Sequence, residues 1–110
     1  MKRESYRILM SVPKRRIVFS ARARADLRSI ALYGRANWGR QRSDEYRAEI
    51  DALLASLTEF PDLGHRTPLL AGEGRMIGVG SHVVYYRGDG NRISIVRILH
   101  ERVHAGGQLE

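Results

Sequence analysis

The sequence predicts an α+β domain in the order β-α-α-β-β-β, with a helical hairpin packed on a small antiparallel sheet. Three observations lead there. Apolar residues recur at helical spacing in two blocks between residues 20 and 60, and Gly39 separates the blocks. A Gly- and Pro-rich stretch follows at 61–74 (PDLGHRTPLLAGEG). The run from Arg75 to Arg102 (RMIGVGSHVVYYRGDGNRISIVRILHER) then reads as short strands around a Gly88-Asp89-Gly90-Asn91 turn.

Arg16-Ile17-Val18-Phe19, β-branched and aromatic, is the expected first strand, and Ser20 the N-cap of the helix after it. In that helix Ala23, Leu27, Ile30, Ala31, Gly34 and Trp38 share one face, and Trp38 is expected in the core rather than at a contact surface. Arg24, Arg28 and Arg35 form a stripe beside that face. The second helix is expected from near Ser43, with Asp44 and Glu45 in its first turn, where the helix dipole favours acids. Tyr46, Ile50, Leu53, Leu54 and Leu57 make its narrow apolar stripe, which Phe60 extends and Pro61 ends. A short connection makes the two helices antiparallel, so Glu45, Glu49 and Asp51 are expected to meet the arginines of the first.

Strands are expected at about Arg75–Val79, His82–Arg87 and Arg92–His100. In the last, Ile93 and Ile95 should face one way and Val96 and Ile98 the other. With Val83 and Val84 adjacent on its partner, this pattern suits central strands. The first strand must return to pair somewhere in the sheet. The hairpin must cover one sheet face, because neither layer buries its apolar stripe alone. The opposite face is expected to stay partly open.

A chain of 110 residues with 43% hydrophobic content fits one domain. That domain is placed at 13–105, after an extension at 1–12 and before a tail at 106–110. No apolar run approaches the roughly 18 residues of a membrane helix, and Met1 to Met10 lacks the apolar core of a signal peptide. Zero cysteines remove disulfides and thiolate metal sites and fit a reducing cytoplasm, the expected location. The net charge of +7 is lopsided: residues 1–42 hold 12 Lys and Arg against 2 acids, whereas residues 43–110 hold 7 Arg against 10 acids. Such asymmetry suits nucleic acid, an acidic protein partner, or simply a solvated surface.

Motifs for catalysis are scarce. His100-Glu101-Arg102-Val103-His104 spells HExxH, but zinc-protease chemistry needs that motif on a helix. Here it follows a β-run, and Ala105-Gly106-Gly107 would stop any helix, so no metal and no cofactor are expected. Gly72-Glu73-Gly74 lacks the Lys and helix of a phosphate loop. Ser81 and His82, adjacent on a strand, point to opposite faces. A basic cluster remains: Arg75, Arg87, Arg97, His100 and Arg102, with Tyr85 and Tyr86 nearby. Arginines can stabilise phosphorane charge, and His or Tyr can move a proton, so an RNA-cleaving site is conceivable. The favoured alternative is that Tyr86 and His100 are structural and the arginines surface charges.

The chain also resembles the ParE toxins of the RelE/ParE toxin–antitoxin superfamily over about residues 16–104. The resemblance is carried by Phe19-Ser20, Ala25-Asp26-Leu27, Ile30-Ala31-Leu32-Tyr33, Leu53-Leu54 with Leu57, Phe60-Pro61-Asp62-Leu63-Gly64 and Arg75. Its most specific part is His82-Val83-Val84-Tyr85-Tyr86 followed by Val96-Arg97-Ile98-Leu99-His100-Glu101-Arg102. The family fold has the element order derived above.

The resemblance implies a non-enzymatic bacterial toxin, commonly plasmid-stabilising, that traps DNA gyrase. A ParD-like antitoxin would neutralise it by folding a disordered C-terminal segment onto it, while the antitoxin's ribbon-helix-helix part alone binds operator DNA. Candidates for target or antitoxin contact are Arg24, Arg28, Arg35, Arg97, His100 and Arg102. The runner-up is a RelE-like ribosome-dependent mRNA endonuclease using Arg75, Tyr86, His100 and Arg102. Against it, Val83 stands where those enzymes commonly carry Arg, and residues 105–110 contain no Tyr. A second alternative is a basic nucleic-acid-binding module. One departure from the ParE pattern is His104, at a position where ParE chains often carry Asp.

Overall fold

In the computed structural model, residues 14–103 and Leu109 are described. The expected extension at 1–12, and all of the 106–110 tail except Leu109, lie outside them. The order is β1 (Arg16–Phe19), α1 (Ala21–Trp38), α2 (Arg40–Glu59), β2 (His65–Arg66), β3 (Arg75–Val79), β4 (His82–Gly88) and β5 (Arg92–His100). The strands form one sheet in the order β1-β5-β4-β3-β2, with the two helices on one face. The short β2, within the stretch expected to be loop, adds a two-residue edge to β3.

The sheet is mixed, not antiparallel throughout, because β1 runs parallel to β5. Chain direction explains this. Helix α2 brings the chain back to the end where β1 began: Arg15 Nη1 donates to Thr58 O, and Lys14 lies 3.7 Å from Glu59. From there β3, β4 and β5 run out, back and out, so β5 matches β1.

Ser20 caps α1 as expected, its Oγ accepting from Ala23 N–H at 2.9 Å and donating to Val96 O at 2.7 Å. Helix α2 starts at Arg40, three residues before the expected Ser43. Gly39, at φ 86°, makes the joint alone by ending α1 and opening α2. Ser43 is therefore no cap and lies buried against Gly34. The acids of α2 do not reach α1. Glu45 and Glu49 pair with Arg42, and Asp51 pairs with Arg47, all within α2.

The main core joins Ala23 and Leu27 of α1 and Tyr46, Ile50, Leu54 and Leu57 of α2 to Val84, Tyr86, Ile93, Ile95 and Ile98 of the sheet. Ile98 thus faces the helices with Ile93 and Ile95, contrary to the simple alternation. A bulge is the cause: Tyr85 pairs with Arg97 but Tyr86 with Ile95, leaving Val96 unpaired and reversing the side-chain phase. The opposite face is more covered than expected. Leu70 and Leu109 pack there on Tyr85, with Leu69, Met76, Val83, Val96 and Leu99 around them, and Leu109 N–H donates to Leu69 O. Trp38 is 43% exposed at the end of α1, so it is not a core residue.

Candidate functional site

The end of the sheet where α2 finishes is closed by polar side chains. Tyr86 is fully buried, and its hydroxyl donates to Pro61 O at 2.7 Å while accepting from Gly64 N–H at 2.9 Å. Burial raises the Tyr86 pKa above the usual phenol range. Arg75 Nη1 donates to Gly64 O at 2.7 Å, and its Nη2 lies 3.5 Å from Asp62. These two residues therefore pin the Pro61–Gly64 corner to the sheet. Two of the four fallback nuclease candidates are spent on the backbone.

At the opposite end, rings from four elements form a row. Tyr33 and Trp38 of α1 meet edge-on at 5.9 Å between centroids, and Trp38 meets Tyr46 of α2 at 5.8 Å. Tyr46 then contacts His82 at 5.6 Å, and His82 contacts His100 at 5.4 Å. An apolar groove of about 320 Å³ runs along this row, lined by Ser29, Ile30, Tyr33, Trp38, Ser81, His82 and His100.

Hydrogen bonding holds the row in place. Tyr46 Oη lies 3.0 Å from Val79 O, 3.1 Å from Ser81 N and 2.7 Å from His82 Nδ1. All contacts are satisfied when the hydroxyl donates to Val79 O and accepts from Ser81 N–H and His82 Nδ1–H. The turn carrying Ser81 needs Gly80 on two counts. Its φ is 56°, and an added Cβ would lie 2.4 Å from the Tyr46 ring. Burial lowers the His82 pKa, and nearby His100 lowers it further. His100 Nδ1 accepts from Arg102 N–H at 3.1 Å, so the neutral ring carries its proton on Nε2.

The six expected contact residues fall into three settings. Arg97 is half-buried and already paired: Asp26 holds it through Nε at 2.8 Å and Nη2 at 3.0 Å, with 22% and 13% of the two side chains exposed. This pairing raises the Arg97 pKa. Asp26 Oδ2 also accepts Ile98 N–H at 2.9 Å, just past the bulge. His100 and exposed Arg102 sit together at the end of β5, His100 on the aromatic groove. Arg24, Arg28 and Arg35 are exposed on α1 and enter no ion pair among the described residues. Arg24 and Arg28 line a second groove, with Phe19, Leu27, Ala31 and Arg47.

The sequence reading missed Tyr33 and His82 as groove residues and Tyr46 as the ring behind them, since Tyr46 sat in an apolar stripe and His82 in a strand, both assigned to packing, and Tyr33 lay outside the apolar face of α1. It also missed Asp26, although a lone acid on an arginine-rich helix was the available signal. As for a metal site, His100 ends a strand, and residues 101–102 form a turn in which Val103 N–H donates to His100 O; His104 lies outside the described residues. Among the described residues no three His, Asp or Glu side chains are placed to hold an ion.

Comparison with known proteins bears on what this architecture serves. The family model for the ParE toxin of the type II toxin–antitoxin system parDE matches residues 17–104. The toxin ParE1 of Caulobacter vibrioides is 37% identical over 90 residues, 82% of this chain and 93% of that protein. Toxin ParE1 of Mycobacterium tuberculosis is 29% identical over 90 residues, covering 80% and 91%. A chain from the chromosomal ParDE toxin–antitoxin system of P. aeruginosa shares the fold, with a TM-score of 0.66 at 19% identity over 79% of this chain and 96% of that one. With a match spanning nearly all of the described domain and a relative alike along most of both lengths, this chain belongs to the ParE family, the toxins of type II toxin–antitoxin systems.

Proposed function

We propose that this toxin acts by binding DNA gyrase rather than by cutting RNA, and that a ParD-like antitoxin encoded beside it keeps it silent. The observation that carries the non-enzymatic reading is the condition of Tyr86. A general acid or base must reach the proton it transfers. The Tyr86 hydroxyl is fully buried with both of its contacts made to backbone, and Arg75 is committed to the same corner. That leaves His100 and Arg102 from the fallback set, too few for a nuclease constellation. What the surface offers instead is an apolar aromatic groove and an arginine-lined one, features suited to gripping macromolecules. No helix among the described residues is long and apolar enough to cross a membrane. Gyrase as target would place the toxin in the cytoplasm.

Induced expression in a bacterial host tests this. A DNA-damage response with ongoing translation is expected, together with gyrase trapped on cleaved DNA. Loss of translation within minutes, with mRNA cut at ribosomes, would favour the RelE-like alternative. The basic-module alternative requires the isolated protein to bind DNA or RNA with a steep salt dependence.

A further inference from the structure

We propose that the arginine stripe of α1 lies against the DNA that gyrase holds, so that the toxin touches nucleic acid as well as its protein target. This deepens the gyrase reading and rests on it. At about 100° per residue, Arg24, Arg28 and Arg35 fall within about 40° of one another around the helix axis. All three are exposed, and none makes a side-chain hydrogen bond or ion pair among the described residues. The acids that could have neutralised them are engaged elsewhere. Asp26 of α1 holds Arg97 of the sheet. On α2, Asp44 lies with Arg40, Glu45 and Glu49 with Arg42, Asp51 with Arg47, and Glu59 with Lys14. Every acid of both helices thus has its cation, and the stripe is left without an acid.

Length and residue type point to a phosphate backbone as the counterpart. From Arg24 to Arg35 the helix rises about 16 Å. One DNA strand carries about five phosphates over that length. Guanidinium groups set along one line can therefore each find a phosphate whatever the base sequence, and each can bind it through two N–H donors. A folded protein surface mixes its charges, as α2 does here with its paired acids and arginines, whereas DNA presents one sign throughout. Three phosphate contacts are too few to hold DNA alone at physiological salt. The stripe therefore adds to a grip on gyrase and does not replace it.

The test uses the full toxin, purified gyrase and supercoiled plasmid. The triple variant Arg24→Gln/Arg28→Gln/Arg35→Gln removes charge at exposed positions with a residue that suits a helix, and urea unfolding checks its native fold. It should need about tenfold or more toxin to trap the same amount of cleaved DNA, while its affinity for gyrase without DNA stays within about twofold. Trapping by the unaltered toxin should also weaken more steeply with salt, by about 0.9 in log–log slope for each arginine removed. Arg35→Gln alone should show about a third of that change in slope. Unchanged trapping or an unchanged slope in the folded variants overturns the proposal while the gyrase reading stands. An equal loss of gyrase affinity with and without DNA means that the stripe meets protein, and also overturns it. An unaltered toxin that binds gyrase in neither setting removes both readings.

Discussion

The two ends of the sheet use the same residue types to opposite effect. Where α2 finishes, Tyr86 and Arg75 direct their polar groups to the backbone of the Pro61–Gly64 corner. Where α2 begins, Tyr46 secures the Gly80 turn in a similar way, yet the rings beyond it line an open groove. A Tyr or Arg near the sheet is therefore no guide to chemistry by itself. What separates structural from functional is where its hydrogen bonds go.

Substitutions can break this contrast if it is wrong. The largest cost is expected for Asp26→Ala, which would strand a largely buried Arg97 and leave Ile98 N–H without its acceptor. Losing one partner of such a pair costs about 3 kcal/mol or more, readable as a lower urea midpoint with an unchanged slope. Tyr86→Phe should cost about 2 kcal/mol, because Gly64 N–H and Pro61 O lose a buried partner. If Tyr86→Phe were neutral, the closed end would not be the anchor described, and a neutral Asp26→Ala would mean that the Arg97 pair does not tie α1 to β5.

A pH titration probes the open end. The folded His82 pKa lies below its ordinary 6.5, so the unfolded chain takes up that proton first as pH falls. Unfolding free energy should therefore drop from about pH 6.5 downward and level once the folded imidazole also protonates. Wild type and His82→Asn compared by urea unfolding at several pH values should differ in that limb. Identical slopes would remove His82 as the cause. The smallest stability effect is expected for Trp38→Ala, within about 1 kcal/mol, since the ring is 43% exposed. A clear loss of partner binding at near-normal stability would mark the groove as a contact surface.

Much of the fold was legible. Helical spacing located both helices, Ser20 read correctly as a cap, and the three strands after residue 74 fell within a residue of their observed bounds. The failures have particular physical causes. The parallel pairing of β1 depends on which end of the sheet α2 returns to, a tertiary fact that no local pattern carries. The bulge at Val96 reverses side-chain phase without any Gly or Pro to announce it, and so it misplaced Ile98. Gly39 did alone what Ser43 was expected to help with. The site was less legible than the fold. Arg97 looks identical to Arg24 in sequence, and only the distance to Asp26 tells the paired cation from those without an ion partner. The aromatic row joins positions 33, 38, 46, 82 and 100, which no spacing rule connects.

The most direct test of the account is the activity of purified Tyr86→Phe at a low temperature where circular dichroism confirms native structure. Mixed with gyrase and supercoiled plasmid, the variant and the unaltered toxin should both accumulate cleaved DNA, and to the same extent, because the phenol only holds a corner in place. A folded Tyr86→Phe variant that loses about a hundredfold or more in activity, the signature of a missing proton-transfer group, would contradict it.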